Sequence, residues 1–490
     1  MFDKSKQKFH SGSAITASSP AAPVGSKPDK RSIYQNRSNF GVNFGSLFVQ
    51  ERFIYDKLFV DNTGVESDAV KALVKKKGID EARKDFESHW SSYCSDSDWE
   101  WLSSKGVQSV RIPIGYWCIN SKFNSNTSFE KVSGVYANAW EILKKNFIQK
   151  ASNYGISILV DLHALPKGAN CGDHSGEKFS NAGFWTDSKA QSLACDILKF
   201  MAGDLQQFEN VAGLQIVNES TFDNNASGQK SYYTAAANAI RSVNKSIPII
   251  ISDGWWPDQW CKWINESSSK GDPGIVIDVH IYRCFSDDDK GKDADAIIKD
   301  LDGSVLTGLS ASADFMIGEY SCVLDGQTWD KSHGDRSSKV HEYGNRQSQL
   351  FKERAKFGSY FWCYKFEHGD GGEWGFRPMV DQGCIPAREK TPQLPSEDDF
   401  NKIMNNNLDQ HGNYWNQQNP NEKYEHWRYK EGFTTAWADC IEFAKFDNSR
   451  IGRVNAWKNS RKLEHIKARG DSSFVWEWEQ GFQTALDQFH

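Results

Sequence analysis

Short apolar, β-branched runs alternate with longer amphipathic stretches from Phe40 onward, and the alternation repeats eight times. The runs are FGVNF (40–44), VQSVRIPIG (107–115), ISILVDLH (156–163), AGLQIVNE (212–219), IPIIISD (247–253), GIVIDVHIY (274–282), DFMIGEY (314–320) and SYFWCYKFE (359–367). Most are almost continuously hydrophobic, as parallel strands covered on both faces must be. Stretches with helical period lie between them, among them DAVKALVKKKGIDEARKDFESHWSSY and SKAQSLACDILKFMAGDL. Eight β-α repeats predict an α/β fold, a (β/α)8 TIM barrel over residues 39–386. A doubly wound sheet would carry a glycine-rich phosphate turn after its first strand, and NFGSLF lacks the GxGxxG spacing.

The rhythm changes on either side. Residues 1–38 are rich in Ser, Lys, Ala and Pro, which predicts a disordered N-terminal arm. After Pro386, KTPQLPSEDD reads as a linker or long surface loop. Residues 387–490 then read as a helical extension packed on the barrel, with stripes in FTTAWADCIEFAKF and FVWEWEQGFQTALDQF. Its tryptophans (Trp415, Trp427, Trp437, Trp457, Trp476 and Trp478) read as packing residues, and a partner-binding face is the alternative.

Polar residues collect at the C-terminal ends of the apolar runs: Asn43, Arg111, Asp161 and His163, Asn218 and Glu219, Asp253, His280 and Tyr282, Glu319, and Trp362 with Glu367. In a barrel these ends share one face, the face where such folds carry chemistry. Glu219 ends the fourth run and Glu319 the seventh. Two carboxylates about 5–5.5 Å apart across a barrel mouth are the machinery of a retaining glycosidase. One must hold a proton and the other must stay ionised; two unrelated acids, each paired to Arg or Lys, are the plainer alternative. Arg111 can hold Glu319 ionised, Tyr282 can donate to it, and Asn218 can bond a substrate 2-hydroxyl. His163 and His280 either bond sugar hydroxyls and orient the acids or are satisfied core residues. Trp362 is either the floor of a sugar subsite or core packing.

Composition narrows the classes further. The 490 residues include 19 Trp, 16 Tyr and 30 Phe, rings suited both to a large core and to stacking on pyranoses. Net charge is −6 without a basic block, so nucleic acid is not an expected partner. No apolar run of about 18 residues occurs, so no membrane span is expected. The N-terminus has no apolar core of a secretory signal. The ten cysteines form no CxxC, and no zinc spacing such as HExxH occurs. GDHSG (172–176) is not the GxSxG elbow, and the acidic run SDDDKGKDADA (286–296) reads as a solvated loop. Reduced thiols, and a sequon at Asn218-Glu219-Ser220 whose glycan would ruin the strand-end site, predict a cytoplasmic protein.

With these residues in place, the chain resembles glycoside hydrolase family 5, and within it the intracellular branch of the fungal exo-β-1,3-glucanases (glucan 1,3-β-glucosidases). The motifs are GVNFGSLFVQE (41–51), VRIPIGYW (110–117), DLHALPKGANCGDHSG (161–176), IVNES (216–220), DVHIYRCF (278–285), IGEYS (317–321) and FWCYKFEHGDGGEW (361–374). The resemblance implies a retaining enzyme without metal or cofactor, with Glu219 as acid/base, Glu319 as nucleophile, and Arg111, His163, Asn218, His280, Tyr282 and Trp362 as the surrounding shell. It also implies that Glu51, Asp173 and His174 bind the terminal glucose, and that Trp255, Phe285 and Trp374 line outer subsites. Ser220 stands where the family usually has proline, and Gly172 where these enzymes commonly have an aromatic. The expected activity is exo-hydrolysis of β-1,3-glucosidic bonds on a glucan oligosaccharide or small β-glucoside, by a monomer. The alternatives are a β-glucosidase acting on a steryl or other lipid glucoside, or a catalytically retired glucan-binding protein.

Overall fold

A computed structural model of the chain describes residues 14–19, 25, 27–267, 272–309, 313–392 and 394–489. Eight parallel strands close into a barrel in sequence order: β1 (Asn39–Asn43), β2 (Ser109–Gly115), β3 (Ser157–Ala164), β4 (Val211–Gln215), β5 (Ile249–Ser252), β6 (Ile275–Arg283), β7 (Asp314–Leu324) and β8 (Gly358–Phe361). β8 pairs with β1 to complete the ring.

The two-residue period of a strand sorts side chains between the two layers. Ile158, Val160 and Leu162 of β3 join the core shared with the outer helices. Leu159 instead joins Ala212, Ile250, Val276, Met316 and Tyr360 in a separate apolar cluster. Residues in step with these inward side chains become polar toward the C-terminal ends: Asp161 and His163 after Leu159, and Asp278, His280 and Tyr282 after Val276. The barrel is thus apolar low down and polar at its mouth.

Two strands are shorter than their apolar runs predict. β4 ends at Gln215, so Glu219 stands on the following loop, and β8 ends at Phe361, so Trp362 and Glu367 do too. Glu367 does not join the mouth cluster; its carboxylate accepts the backbone N–H groups of Asp56 (2.8 Å) and Lys57 (3.0 Å). It therefore fastens the loop after β1 to the loop after β8.

Half of the expected disordered arm lies outside the described residues, at 1–13, 20–24 and 26, and within the described stretch 14–19 Ile15 is buried. Its last part is ordered instead. Lys30–Asn36 form a helix capped by Asp29, and Ile33 and Tyr34 are buried. Arg37 lies buried under Tyr34 and donates to the carbonyls of Gln108 and Gly155 at the bottom of the barrel. Burial of these few large side chains offsets a polar composition that favours disorder.

Four helices follow the barrel: Glu397–Gln418, His426–Lys445, Val454–Arg469 and Val475–Phe489. The first begins inside the predicted linker, where Ser396 and Asp399 form a capping box. Phe433, Trp437, Phe443, Trp457, Trp478 and Phe482 make a second core. Trp437, Trp457 and Trp478 pack there, whereas Trp427 is exposed. The second and fourth helices cross at reciprocal glycines: a Cβ on Gly432 would meet the Trp478 carbonyl at 2.1 Å, and one on Gly481 the Tyr429 carbonyl at 2.0 Å. Asp314 at the start of β7 accepts the N–H groups of Asn455 and Ala456, joining this unit to the barrel. Among the described residues, no helix is long and apolar enough to cross a membrane.

Candidate active site

Arg111 organises the mouth. β2 aligns it with Asn43 of β1, and burial is complete. Nε donates to Gln215 Oε1 (2.9 Å), Nη1 to Asn43 Oδ1 (2.8 Å) and Glu319 Oε1 (2.9 Å), and Nη2 to Asn218 Oδ1 (2.8 Å) with Asp161 Oδ2 at 2.9 Å. Burial works against its charge, yet Asp161, Glu319 and Asp278 raise its pKa above the ordinary value.

Glu319 is set by an irregularity in β7. The β6–β7 register shifts after Val279, so that His280 aligns with Glu319. Gly318 permits this: its N–H donates to Asp278 Oδ1 at 2.7 Å, and a Cβ would lie 2.2 Å from that oxygen. Both Glu319 oxygens are then engaged, Oε1 by Arg111 and Oε2 by the Tyr282 hydroxyl at 2.9 Å.

Glu219 stands on left-handed backbone, φ 43°, a conformation that costs a non-glycine residue about 1–3 kcal/mol and that concentrates at functional sites. Neighbouring loops hold it there. Asn170 donates to its carbonyl (3.1 Å), and the next N–H, of Ser220, donates to Ser252 Oγ (3.0 Å). Its Oε1 meets His280 Nδ1 at 2.8 Å and its Oε2 meets His174 Nε2 at 3.2 Å. One carboxylate oxygen of Glu219 and one of Glu319 lie within 4.8 Å of each other.

His280 lies between carboxylates, Nδ1 toward Glu219 and Nε2 toward Asp278 Oδ2 at 3.0 Å, an arrangement that suits an imidazolium donating from both nitrogens. Burial opposes that charge, but Glu319, Asp278 and Glu219 raise its pKa well above the usual histidine value. Burial likewise works against charge on Glu219, yet His174 and His280 hold its carboxyl well below the usual range. His174 behaves as His280 does: burial opposes its charge, and Glu219, Glu51 and Glu319 raise it to about 9. His163 differs. Burial lowers its pKa in spite of Asp161, whose Oδ2 lies 2.6 Å from Nδ1.

The remaining predicted residues stand at the C-terminal ends of strands or on the segments that follow them. Trp362 lies parallel to His163, centroids 6.3 Å apart. Glu51 is buried; burial pushes its pKa up to about 8, His174 opposing and Glu319 adding to the rise. Tyr282, Phe285 and Trp374 form an aromatic cluster with centroids 5.5–6.2 Å apart. Trp255 is exposed on left-handed backbone, φ 65°. Asp173 is exposed beside His174. Three members were not singled out from sequence: Gln215 and Asp278, which link Arg111 to His280, and Asn170, which anchors the Glu219 loop. The two-residue spacing of Asp278 to His280 was the signal for one of them.

Comparisons agree with this architecture. The model of cellulase (glycosyl hydrolase family 5) matches residues 74–367, and that of the glucan 1,3-beta-glucosidase 3 C-terminal domain matches 396–490. An uncharacterized glycosyl hydrolase of Saccharomyces cerevisiae is 41% identical, covering 100% of this chain and 98% of its own. Glucan 1,3-beta-glucosidase 3 of Schizosaccharomyces pombe is 34% identical over 93% of this chain and 96% of its own. A rutinosidase crystal structure from Aspergillus niger shares the fold at TM-score 0.57 and 19% identity, covering 73% of this chain and 99% of that one.

Proposed function

The chain belongs to glycoside hydrolase family 5 and is a glycoside hydrolase, and from that premise we propose that it is a retaining, exo-acting β-glucosidase that hydrolyses β-1,3-glucosidic bonds and releases glucose. The observation that carries the reading is the carboxylate pair, with oxygens within 4.8 Å and unlike surroundings. Such a separation leaves no room for a water between the second carboxylate and the anomeric carbon and favours direct attack by that carboxylate. Glu319, bonded by Arg111 and Tyr282, is the nucleophile that attacks the anomeric carbon. Glu219 is the acid that protonates the leaving oxygen and the base that then activates water. Asn218 addresses the 2-hydroxyl, Glu51, His163, Asp173 and His174 the remaining hydroxyls, and Trp362 the face of the ring. Trp255, Phe285 and Trp374 line the outer subsites. Double displacement requires no cofactor.

All ten cysteines are free, which supports work in a reducing compartment, the cytoplasm. A second reading has its own observation. Phe222, Trp255, Trp256 and Phe285 are large apolar side chains left exposed on the loops after β4, β5 and β6, and they favour an apolar aglycone such as that of a steryl glucoside.

The test is glucose release from laminari-oligosaccharides and from a steryl glucoside by native protein, Glu319→Gln and Glu219→Gln. The anomer formed first is followed by proton NMR. Release by native protein alone, with the β-anomer first, is expected. Near-native turnover in either variant, or the α-anomer first, sinks the assignment. Release from only the steryl glucoside keeps the mechanism and moves the substrate to lipids.

A further inference from the structure

Glu219 presents a contradiction within the reading just given. A general acid must carry a proton in the first step, yet Glu219 lies between two imidazoles, His280 Nδ1 at 2.8 Å and His174 Nε2 at 3.2 Å, which favour its ionised form. The proton must come from a neighbour that can release it.

His280 is the poorer source. Its nitrogens face three carboxylates: Glu219 at 2.8 Å, Asp278 at 3.0 Å and Glu319 at 3.5 Å. Removing its proton would take the cation from between Glu219 and Asp278 and leave Arg111, on Glu319 and 4.0 Å from Asp278, as the cation that remains. His174 contacts one carboxylate oxygen, Glu219 Oε2, and its buried Nε2 makes no aligned hydrogen bond. Around it stand Glu51 and Glu319 at longer range, Asp173 next in sequence, and the His163 ring, edge-on with centroids 5.3 Å apart.

The local sequence is built for this contact. His174 folds back over Gly172: a Cβ there would lie 2.4 Å from its Cε1 and 2.8 Å from both ring nitrogens. Gly172 has ordinary extended backbone, φ −70° and ψ 153°. Its side chain is therefore absent because the imidazole fills that space, and the backbone conformation does not require glycine.

We propose that His174 is a positioning residue that stores the proton Glu219 delivers to the glycosidic oxygen, an inference that rests on Glu219 being the acid/base. In the first step the Nε2 proton moves to the ionised Glu219 at Oε2 and on from Glu219 to the leaving oxygen. The C1–O bond breaks, a bond from C1 to a Glu319 oxygen forms, and the alcohol departs, leaving His174 neutral and Glu219 ionised. In the second step water attacks C1, the bond to Glu319 breaks, and the water proton returns through Glu219 to His174. In the free enzyme the store empties as pH rises through about 9.

The test compares His174→Asn, Gly172→Ala and Glu219→Gln on phenyl β-glucoside and 2,4-dinitrophenyl β-glucoside, whose leaving groups do and do not need a proton. His174→Asn and Gly172→Ala should lower kcat/KM on the phenyl substrate on the order of 10²–10³-fold and on the dinitrophenyl substrate by less than about threefold. The alkaline limb of native kcat/KM, near pH 9, should move down by more than about one unit in both. Gly172→Ala keeps the imidazole and displaces it, so it carries the test even where His174→Asn folds poorly. Equal losses on both substrates with an unmoved limb, while Glu219→Gln does depend on leaving group, overturn the relay and leave the acid/base assignment standing. No leaving-group dependence in Glu219→Gln overturns the assignment, and the relay with it.

Discussion

Arg111 donates four hydrogen bonds and makes one further ion pair, to five partners contributed by β1, β3, β4, the loop after β4, and β7. That count explains why a guanidinium stands there: lysine offers three protons from one nitrogen and cannot reach acceptors spread over so many elements. Arg111→Lys would leave buried acceptors, at least one a carboxylate, without partners. We expect it to cost about 3–5 kcal/mol of stability and to lower kcat/KM on the order of 10²-fold through misplacement of Glu319. Urea unfolding and steady-state rates check both, and native values in either would show that the fork is not needed. The residues of this network were only partly legible. Arg111 stands out in VRIPIG because an unpaired charge among apolar neighbours is costly. Gln215 does not, because a neutral amide in AGLQIVNE gives no sign of joining Arg111 to Asp278. The role of Gly172 was also hidden, since it depends on where the His174 ring folds.

At the scale of elements, the strands were legible because each must be apolar on both faces, and the run itself marks the strand. Their ends were not. Ile216 and Val217 continue the apolar run past Gln215, where the ladder stops and the chain turns out through the left-handed Glu219. The C-terminal helices were legible from their stripes, but their fastening was not. His411, His426 and Glu477 come from three helices far apart in sequence. Glu477 is fully buried, and its Oε2 receives His411 Nε2 at 2.8 Å and His426 Nδ1 at 2.7 Å, while its Oε1 accepts the Glu425 N–H at 2.7 Å. Glu477→Gln replaces one of these oxygens with a donor and sets it against a donor. We expect a loss of about 2–4 kcal/mol, seen in calorimetry as the helical unit melting ahead of the barrel. A single unshifted transition would rule out the clasp as a determinant of stability.

For the whole molecule, the buried charges set the pH at which the fold is most stable. Two classes of shift act in opposite directions. Burial raises Glu51 to about 8 and Glu66 and Asp253 to about 7. Their contribution is full below the ordinary 4.5 or 3.8 and is lost as pH rises through these folded values. His174, at about 9, and His280 contribute fully below 6.5 and lose that contribution as pH rises through their folded values. Against burial, Glu219, Asp278 and Glu477 are held low by adjoining histidines; their contribution is present above the ordinary carboxylate range and is lost as pH falls through their folded values. His163, lowered by burial, adds a cost below 6.5. The raised groups dominate the alkaline side and the depressed ones the acid side, so the melting temperature should peak near about pH 5–6.5 and fall steadily toward pH 9. Glu51→Gln isolates one part of this. The substituted amide cannot ionise, so the variant should lose less stability than native protein between pH 7 and 9, while at pH 5, where Glu51 is already neutral, the two should melt alike. A melting temperature that rises through pH 9, or a Glu51→Gln curve parallel to native throughout, would show that Glu51 is not a neutral acid in the folded site.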